Sequence, residues 1–102
     1  MFKKIKKRDG RLVDFSADKI TQAIAKAAEA TQEFGWDQAK SLTCLVLDLA
    51  DKLITEEVPT VEQMQDLVEE ILLTSHYKKT AKAYIIYRDQ HKKLREIMSD
   101  AS

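Results

Sequence analysis

Phe2-Lys3-Lys4-Ile5-Lys6-Lys7-Arg8-Asp9-Gly10-Arg11-Leu12-Val13-Asp14-Phe15-Ser16 is the stretch from which the fold is read. Phe2, Lys4, Lys6 and Arg8 alternate with Lys3, Ile5 and Lys7 until Asp9-Gly10, a dipeptide able to take two positive φ angles. Leu12-Val13-Asp14-Phe15 then forms the returning strand, so residues 1–15 read as a β-hairpin. An isolated hairpin is marginal in water, so this one has to lie against the helices that follow.

Four helices are expected over residues 16–98. Ser16 is placed to cap the first, Asp18 suits its first-turn dipole, and Ile20, Ala23, Ile24, Ala27 and Ala28 repeat at helical spacing to about Glu33. Phe34-Gly35-Trp36-Asp37 breaks the pattern. Leu42, Leu45, Val46, Leu49 and Leu53 form the stripe of a second helix that stops near Glu56, before Pro59. Thr60 and Gln63 have capping-box spacing, and Met64, Leu67, Val68, Ile71 and Leu72 face inward from a third helix. Thr74-Ser75-His76 interrupts it. The fourth carries Tyr77, Ala81, Tyr84, Ile85 and Arg88 down one side, and Leu94, Ile97 and Met98 overhang the bundle as if leading into a connection. The fold class is mostly α, a small N-terminal β-hairpin packed on a four-helix bundle, in a single domain over 1–102.

Composition agrees with that class. In 102 residues, 44% are hydrophobic and 33% charged, and two glycines with one proline leave few breakers. Cys44 has no second cysteine to pair with and sits in the apolar run Leu42-Thr43-Cys44-Leu45-Val46-Leu47, so a buried thiol is expected. No run approaches the roughly 18 apolar residues of a membrane span, and the start lacks a signal peptide's apolar stretch. No membrane partner and a cytoplasmic location are expected. Net charge is zero but uneven: +5 over residues 1–26, −9 over 27–75 and +4 over 76–102. If the basic ends meet, they make a local positive site for a compact anion such as a polyphosphate; direct nucleic-acid binding would more often make the whole domain basic.

Catalytic constellations are hard to build from these residues. His76 and His91 have no serine or cysteine nucleophile evidently paired to them, and Glu56-Glu57 and Glu69-Glu70 adjoin in sequence and so diverge on a helix. HxxxH, CxxC and glycine-rich phosphate loops are missing, so no metal site and no catalytic residue are assigned. A phosphate site must use side-chain cations, with Lys6, Lys7, Arg8, Arg11 and Lys19 as candidates, helped by the N-terminus of the first helix. Charged hydrogen bonds contribute roughly 1.5–3 kcal/mol each, so micromolar affinity, about 8 kcal/mol, calls for contacts to a base as well. Ile5, Tyr84 and Tyr87 are candidate walls, with His91 one turn from Tyr87. Taken alone, an aromatic stripe is more often core and a lysine-rich hairpin more often merely solvated.

The segment Ile5 to Ile24, with Lys7-Arg8-Asp9-Gly10, a strand ending in Phe15 and Lys19-Ile20, resembles the opening of the ATP-cone, the N-terminal regulatory domain of ribonucleotide reductases. Met64-Gln65-Asp66-Leu67-Val68-Glu69 is similar to that family's third-helix segment, and Ala81-Lys82-Ala83-Tyr84-Ile85-Ile86-Tyr87-Arg88 to its closing pattern. The resemblance implies a nucleotide site between hairpin and helices: Lys7, Arg8 and Lys19 on phosphates, Ile5 and Ser16 near base and ribose, and Gln65, Tyr87 and His91 lining the pocket. Gln65 stands where some members have histidine and His91 where some have lysine. Val13 replaces a glutamate of some relatives and offers backbone contacts only.

The implied function is allosteric: sensing ATP against dATP, with Mg2+, to control the activity and oligomerisation of a reductase whose catalytic domain is the partner. The domain has no catalytic site of its own, and a nucleotide-dependent homo-oligomer is implied. The Tyr-Ile-Ile-Tyr-Arg ending is most like the anaerobic, glycyl-radical class, which implies a domain excised from a ribonucleoside-triphosphate reductase. Two alternatives stand beside it. One is a helical protein-docking module without nucleotide affinity. The other is the cone of a reductase-gene transcriptional repressor, which would need a preceding zinc ribbon that one cysteine cannot supply.

Overall fold

The computed structural model describes residues 2–100. The chain runs β1 (Lys4–Lys6), β2 (Leu12–Asp14), α1 (Ala17–Thr31), α2 (Trp36–Leu53), α3 (Val61–Thr74) and α4 (Lys78–Asp100), a hairpin followed by four helices as expected. The strands pair antiparallel, with Lys4 opposite Asp14, Ile5 opposite Val13 and Lys6 opposite Leu12.

The turn is built differently from the expected one. The Gly10 N–H donates to the Lys7 carbonyl at 2.9 Å and the Lys7 N–H to the Arg11 carbonyl at 2.8 Å, closing a loop of Arg8, Asp9 and Gly10. Gly10 alone in it has a positive φ, 89°, so Asp9 does not share the left-handed region. A three-residue loop needs only one left-handed residue, and glycine takes it without a Cβ penalty. The Asp9 carboxylate accepts from the Arg11 backbone N–H at 3.0 Å and from its Nε at 2.7 Å, which holds its pKa below the usual carboxylate range. Arg11, an expected phosphate candidate, is thereby committed to the turn.

The outer edge of β1 does not stay open. The Lys6 N–H donates to the Pro59 carbonyl at 2.9 Å, and Lys6 makes a parallel bridge to Thr60, so the hairpin is pinned to the link between α2 and α3. Phe2, Ile5 and Phe15 pack against the helical core, which supplies the burial that two three-residue strands lack.

The helices close a ring in which α1 packs on α2 and α4, and α3 on α2 and α4. Ile24, Leu42, Val46, Met64, Leu67, Val68, Leu72 and Tyr84 fill the centre, while Ala27, Ala39, Ala50 and Ala81 let the helices approach closely. One polar pair is buried between α1 and α2, where the Thr21 and Thr43 hydroxyls meet at 2.7 Å.

Two expectations about α2 fail for one geometric reason. Its inward face is Ala39, Leu42, Thr43, Val46 and Ala50. At 3.6 residues per turn, Cys44 lies about 160° round from Val46 and Leu45 about 100°. Cys44 is therefore exposed rather than buried, and Leu45 is 52% exposed despite its place in the apolar run. Leu53 shares the inward direction but is the last residue of the helix, past its packing partners, and is 62% exposed.

Helix ends follow side-chain chemistry. Thr60 and Gln63 form the expected capping box on α3, with the Thr60 Oγ1 accepting from the Gln63 N–H at 3.1 Å and the Gln63 Oε1 from the Thr60 N–H at 2.8 Å. Ser16 occupies the cap position of α1, but its side chain makes no capping hydrogen bond. α1 ends at Thr31, short of Glu33, because Gln32 turns left-handed at φ 60°. Glu33 is thus released to cap another helix, accepting from the Thr80 N–H at 2.6 Å and the Thr80 hydroxyl at 2.7 Å in the first turn of α4. α2 ends at Leu53 rather than near Glu56, with Ile54 already extended. Leu94, Ile97 and Met98 are exposed on the far end of α4, in line with the expected overhang.

Thr60→Ala removes one half of the capping box, so it is expected to cost about 1 kcal/mol and lower the melting temperature by roughly 4–8 °C in thermal denaturation. The hydroxyl and backbone donors of Thr80 hold the Glu33 carboxylate below its ordinary value of 4.5. A folded pKa below the unfolded one means that the stabilisation is full above pH 4.5 and is lost as pH falls through the folded value. The melting-temperature gap between the wild type and Glu33→Gln should therefore be open at neutral pH and narrow as the pH falls below 4.5 and through the folded value, when both are followed by circular dichroism.

Candidate functional site

The pairing of α1 with α4 brings the basic ends of the chain together. On α1, Lys19, Gln22, Ala23, Lys26 and Ala27 recur at helical spacing and share one face; on α4, Ala83, Tyr84 and Tyr87 oppose them. Between them lies a cleft of about 430 Å³, within the size range of small-ligand sites. Its floor is small and apolar and its rim cationic, with the Lys26 Nζ 5.7 Å from the centre of the Tyr87 ring. The His91 ring packs against that of Tyr87 at 4.1 Å between ring centres, tilted by 40°.

A second, larger cleft of about 1160 Å³ opens on an adjacent face of α4, with Arg8, Glu62, Arg88, Lys92 and Arg95 among its lining. Its walls carry both signs of charge. The Arg8 Nε lies 2.6 Å from the Glu62 Oε1, and its Nη2 donates to the Gln65 Oε1 at 2.9 Å. That same Gln65 oxygen accepts from the Arg88 Nε at 3.1 Å, while Asp66 and Glu69 each hold an Arg88 Nη at 2.8 Å. Burial by itself would lower the Arg88 pKa, but the hydrogen bonds to Glu69 and Asp66 outweigh it and leave the guanidinium above its ordinary value.

Tyr84 lines the smaller cleft and feels the charges of Arg88 and Arg8 from the larger one. Its ring is 5% exposed, and burial pushes its hydroxyl up to about 12 although Arg88 and Arg8 pull the other way. It is a neutral phenol at any physiological pH.

The residues singled out from the sequence thus fall into groups. Arg8 and Gln65 are in direct contact at the larger cleft; Lys19 and Tyr87 line the smaller one, with His91 packed beside it. Ile5 and Val13 face each other across the hairpin, with Ile5 against the core. Lys7 is exposed in the turn, and Ser16 leads into α1, its carbonyl accepting from the Lys19 N–H at 3.3 Å. Lys26, Gln22 and Glu62 were not singled out. The first two could have been found from Lys19, since positions three and seven residues on share its helical face. Glu62 carries no such signal, because the contact spans 54 positions from Arg8 and depends on the docked hairpin.

Among the described residues, no group of three or more His, Cys, Asp or Glu could hold a metal ion, and no helix is long and apolar enough to cross a membrane.

Comparison with known proteins fits this geometry. A family model described as the ATP cone domain matches residues 3–93. A vitamin B12-dependent ribonucleoside-diphosphate reductase of Thermoplasma acidophilum is 37% identical over 94% of the chain, which spans 13% of that protein. The ribonucleoside-diphosphate reductase subunit alpha of Chlamydia pneumoniae is also 37% identical, over 86% of the chain and 9% of its own length. The anaerobic ribonucleoside-triphosphate reductase of Escherichia coli is 31% identical over 82% of the chain and 11% of its own length. The expected anaerobic class is therefore one of three represented, and the chain spans only about a tenth of each relative. With the match covering the hairpin and the helices that form both clefts, the chain belongs to the ATP-cone family of nucleotide-binding regulatory domains.

Proposed function

We propose that the domain binds ATP or dATP, with Mg2+, in the α1–α4 cleft beside the hairpin, and that the bound nucleotide sets the activity and assembly of a ribonucleotide reductase of which this chain is a part. One observation carries the proposal. In a chain that matches the ATP cone over residues 3–93, two lysines and two tyrosines converge on a cleft of about 430 Å³.

Each part of the cleft suits part of a nucleotide. The rings of Tyr84 and Tyr87 with the alanine floor offer an apolar slot for the base. Ser16 stands at the head of α1 with its hydroxyl uncommitted to capping, and so is a candidate partner for a ribose or phosphate oxygen. Lys19 one turn on supplies positive charge near a helix N-terminus whose dipole already favours an anion, and Lys7 and Arg8 would add theirs from the hairpin turn, where Arg8 lines the neighbouring larger cleft. Ile5 supports this end from the core, Val13 contributes backbone, and Gln65 and His91 act at the border through Arg8 and Tyr87.

ATP and dATP differ by a single 2′-hydroxyl, so discrimination rests on a small difference in hydrogen bonding near Ser16. Such a difference becomes regulation when each ligand favours a different assembly of the parent enzyme. Catalysis belongs to the remainder of that enzyme, the reductase domain that the relatives' lengths imply, with a nucleotide-dependent homo-oligomer as the regulated form.

Thermal shift with MgATP and MgdATP tests this directly. A ligand at about 100 times its Kd stabilises by about 2.7 kcal/mol, enough to raise the melting temperature by many degrees. Lys7→Ala with Arg8→Ala is expected to abolish the rise. Calorimetry that detects no binding of either nucleotide at millimolar concentration would overturn the proposal in favour of a protein-docking module.

A further inference from the structure

The side-on edge of Arg8 has its partners within the fold. The Nε and Nη2 of a guanidinium form the side-on edge that grips a phosphate or carboxylate with two parallel hydrogen bonds. In Arg8 that edge is filled, Nε by the Glu62 carboxylate at 2.6 Å and Nη2 by the Gln65 carbonyl at 2.9 Å.

Charge points the same way. Arg8 and Arg88 bring two positive charges to the cluster, and Glu62, Asp66 and Glu69 bring three negative ones. Asp66 and Glu69 are committed to Arg88, whose three guanidinium nitrogens are all engaged. Glu62 alone among them is paired with the arginine of the hairpin turn, and its side chain is 43% exposed, so solvent can reach it if the pair opens. It is not part of the α3 cap, which Thr60 and Gln63 form by themselves.

Building on the nucleotide-binding role proposed above, we infer that Glu62 is a built-in competitor for the nucleotide phosphate: its carboxylate holds the Nε half of the side-on edge of Arg8, the half taken by a charged acceptor, and must leave before a phosphate can grip that edge with both hydrogen bonds. Glu62 is thus an affinity-setting residue. It acts through Arg8, and it ties phosphate capture at the hairpin to the release of a side chain at the start of α3. The competitor raises the nucleotide concentration at which the domain fills, which suits a sensor of abundant cellular nucleotides.

Isothermal titration of MgATP into the wild type, Glu62→Gln and Asp66→Asn tests the inference. Both substitutions remove one carboxylate from the cluster, but only Glu62 touches Arg8. Glu62→Gln is expected to lower the Kd by about fivefold, the scale of a partly exposed ion pair, with Asp66→Asn changing it by less than about twofold. Glu62→Gln binding as tightly as the wild type, or more weakly, would overturn the inference while leaving nucleotide binding intact. Equal tightening by Asp66→Asn would also overturn it, since bulk charge rather than occupancy of Arg8 would then be responsible. A wild type that takes up no ATP would remove the nucleotide-binding role itself, and this inference with it.

Discussion

The packing of α4 across α1 is the contact on which the rest depends. These helices lie at opposite ends of the sequence, yet they share the longest interface of the ring. Their pairing brings the basic N-terminal segment and the basic C-terminal helix together, as the charge distribution requires if the domain is to hold an anion. Alanines at 23, 27 and 83 keep side-chain volume low along the seam, so the pairing leaves a cleft in place of a filled core. The two tyrosines at its wall serve both purposes. Tyr84 is buried in the core, while Tyr87 is half open to solvent.

The hairpin depends on the helices in turn. Two strands of three residues have too little surface to persist alone. Three anchors hold them: the Lys6 hydrogen bond to Pro59, the aromatic pair of Phe2 and Phe15 at 6.0 Å, and the seating of Ile5 on the core. The turn that carries Lys7 and Arg8 is consequently positioned by the α2–α3 link as much as by its own strands. The Glu62 to Arg8 pair spans that same gap between the turn and the start of α3.

Most of the architecture was legible in local chemistry. Thr60 and Gln63 mark a helix start through spacing alone, Gly10 marks the turn, and the stripes of α1 and α3 point to the core they form. The errors came where one-dimensional apolarity stood in for helical angle. Cys44 and Leu45 sit among apolar neighbours, but an unbroken run covers every side of a helix, and only the residues near the direction of Val46 are buried. Glu33 was misplaced inside α1 because its partner, Thr80, is 47 positions away. The candidate site divides likewise. Lys19, Tyr87 and Arg8 carry visible signals, whereas the acids that surround Arg8 and Arg88 come from the acidic middle of the chain and meet them only through tertiary contact. Charge counting by segment raised the meeting of the positive ends only as a condition, and it missed that α3 brings carboxylates to Arg8 and Arg88.

A crystal structure of the domain with dATP and Mg2+ tests the central claim most directly. The base should lie between α1 and α4 against Tyr84 and Tyr87, with phosphate oxygens at Lys7, Arg8 and Lys19 and the Glu62 carboxylate displaced from the Arg8 Nε. A nucleotide seated elsewhere on the helices, with the α1–α4 cleft empty, would contradict it.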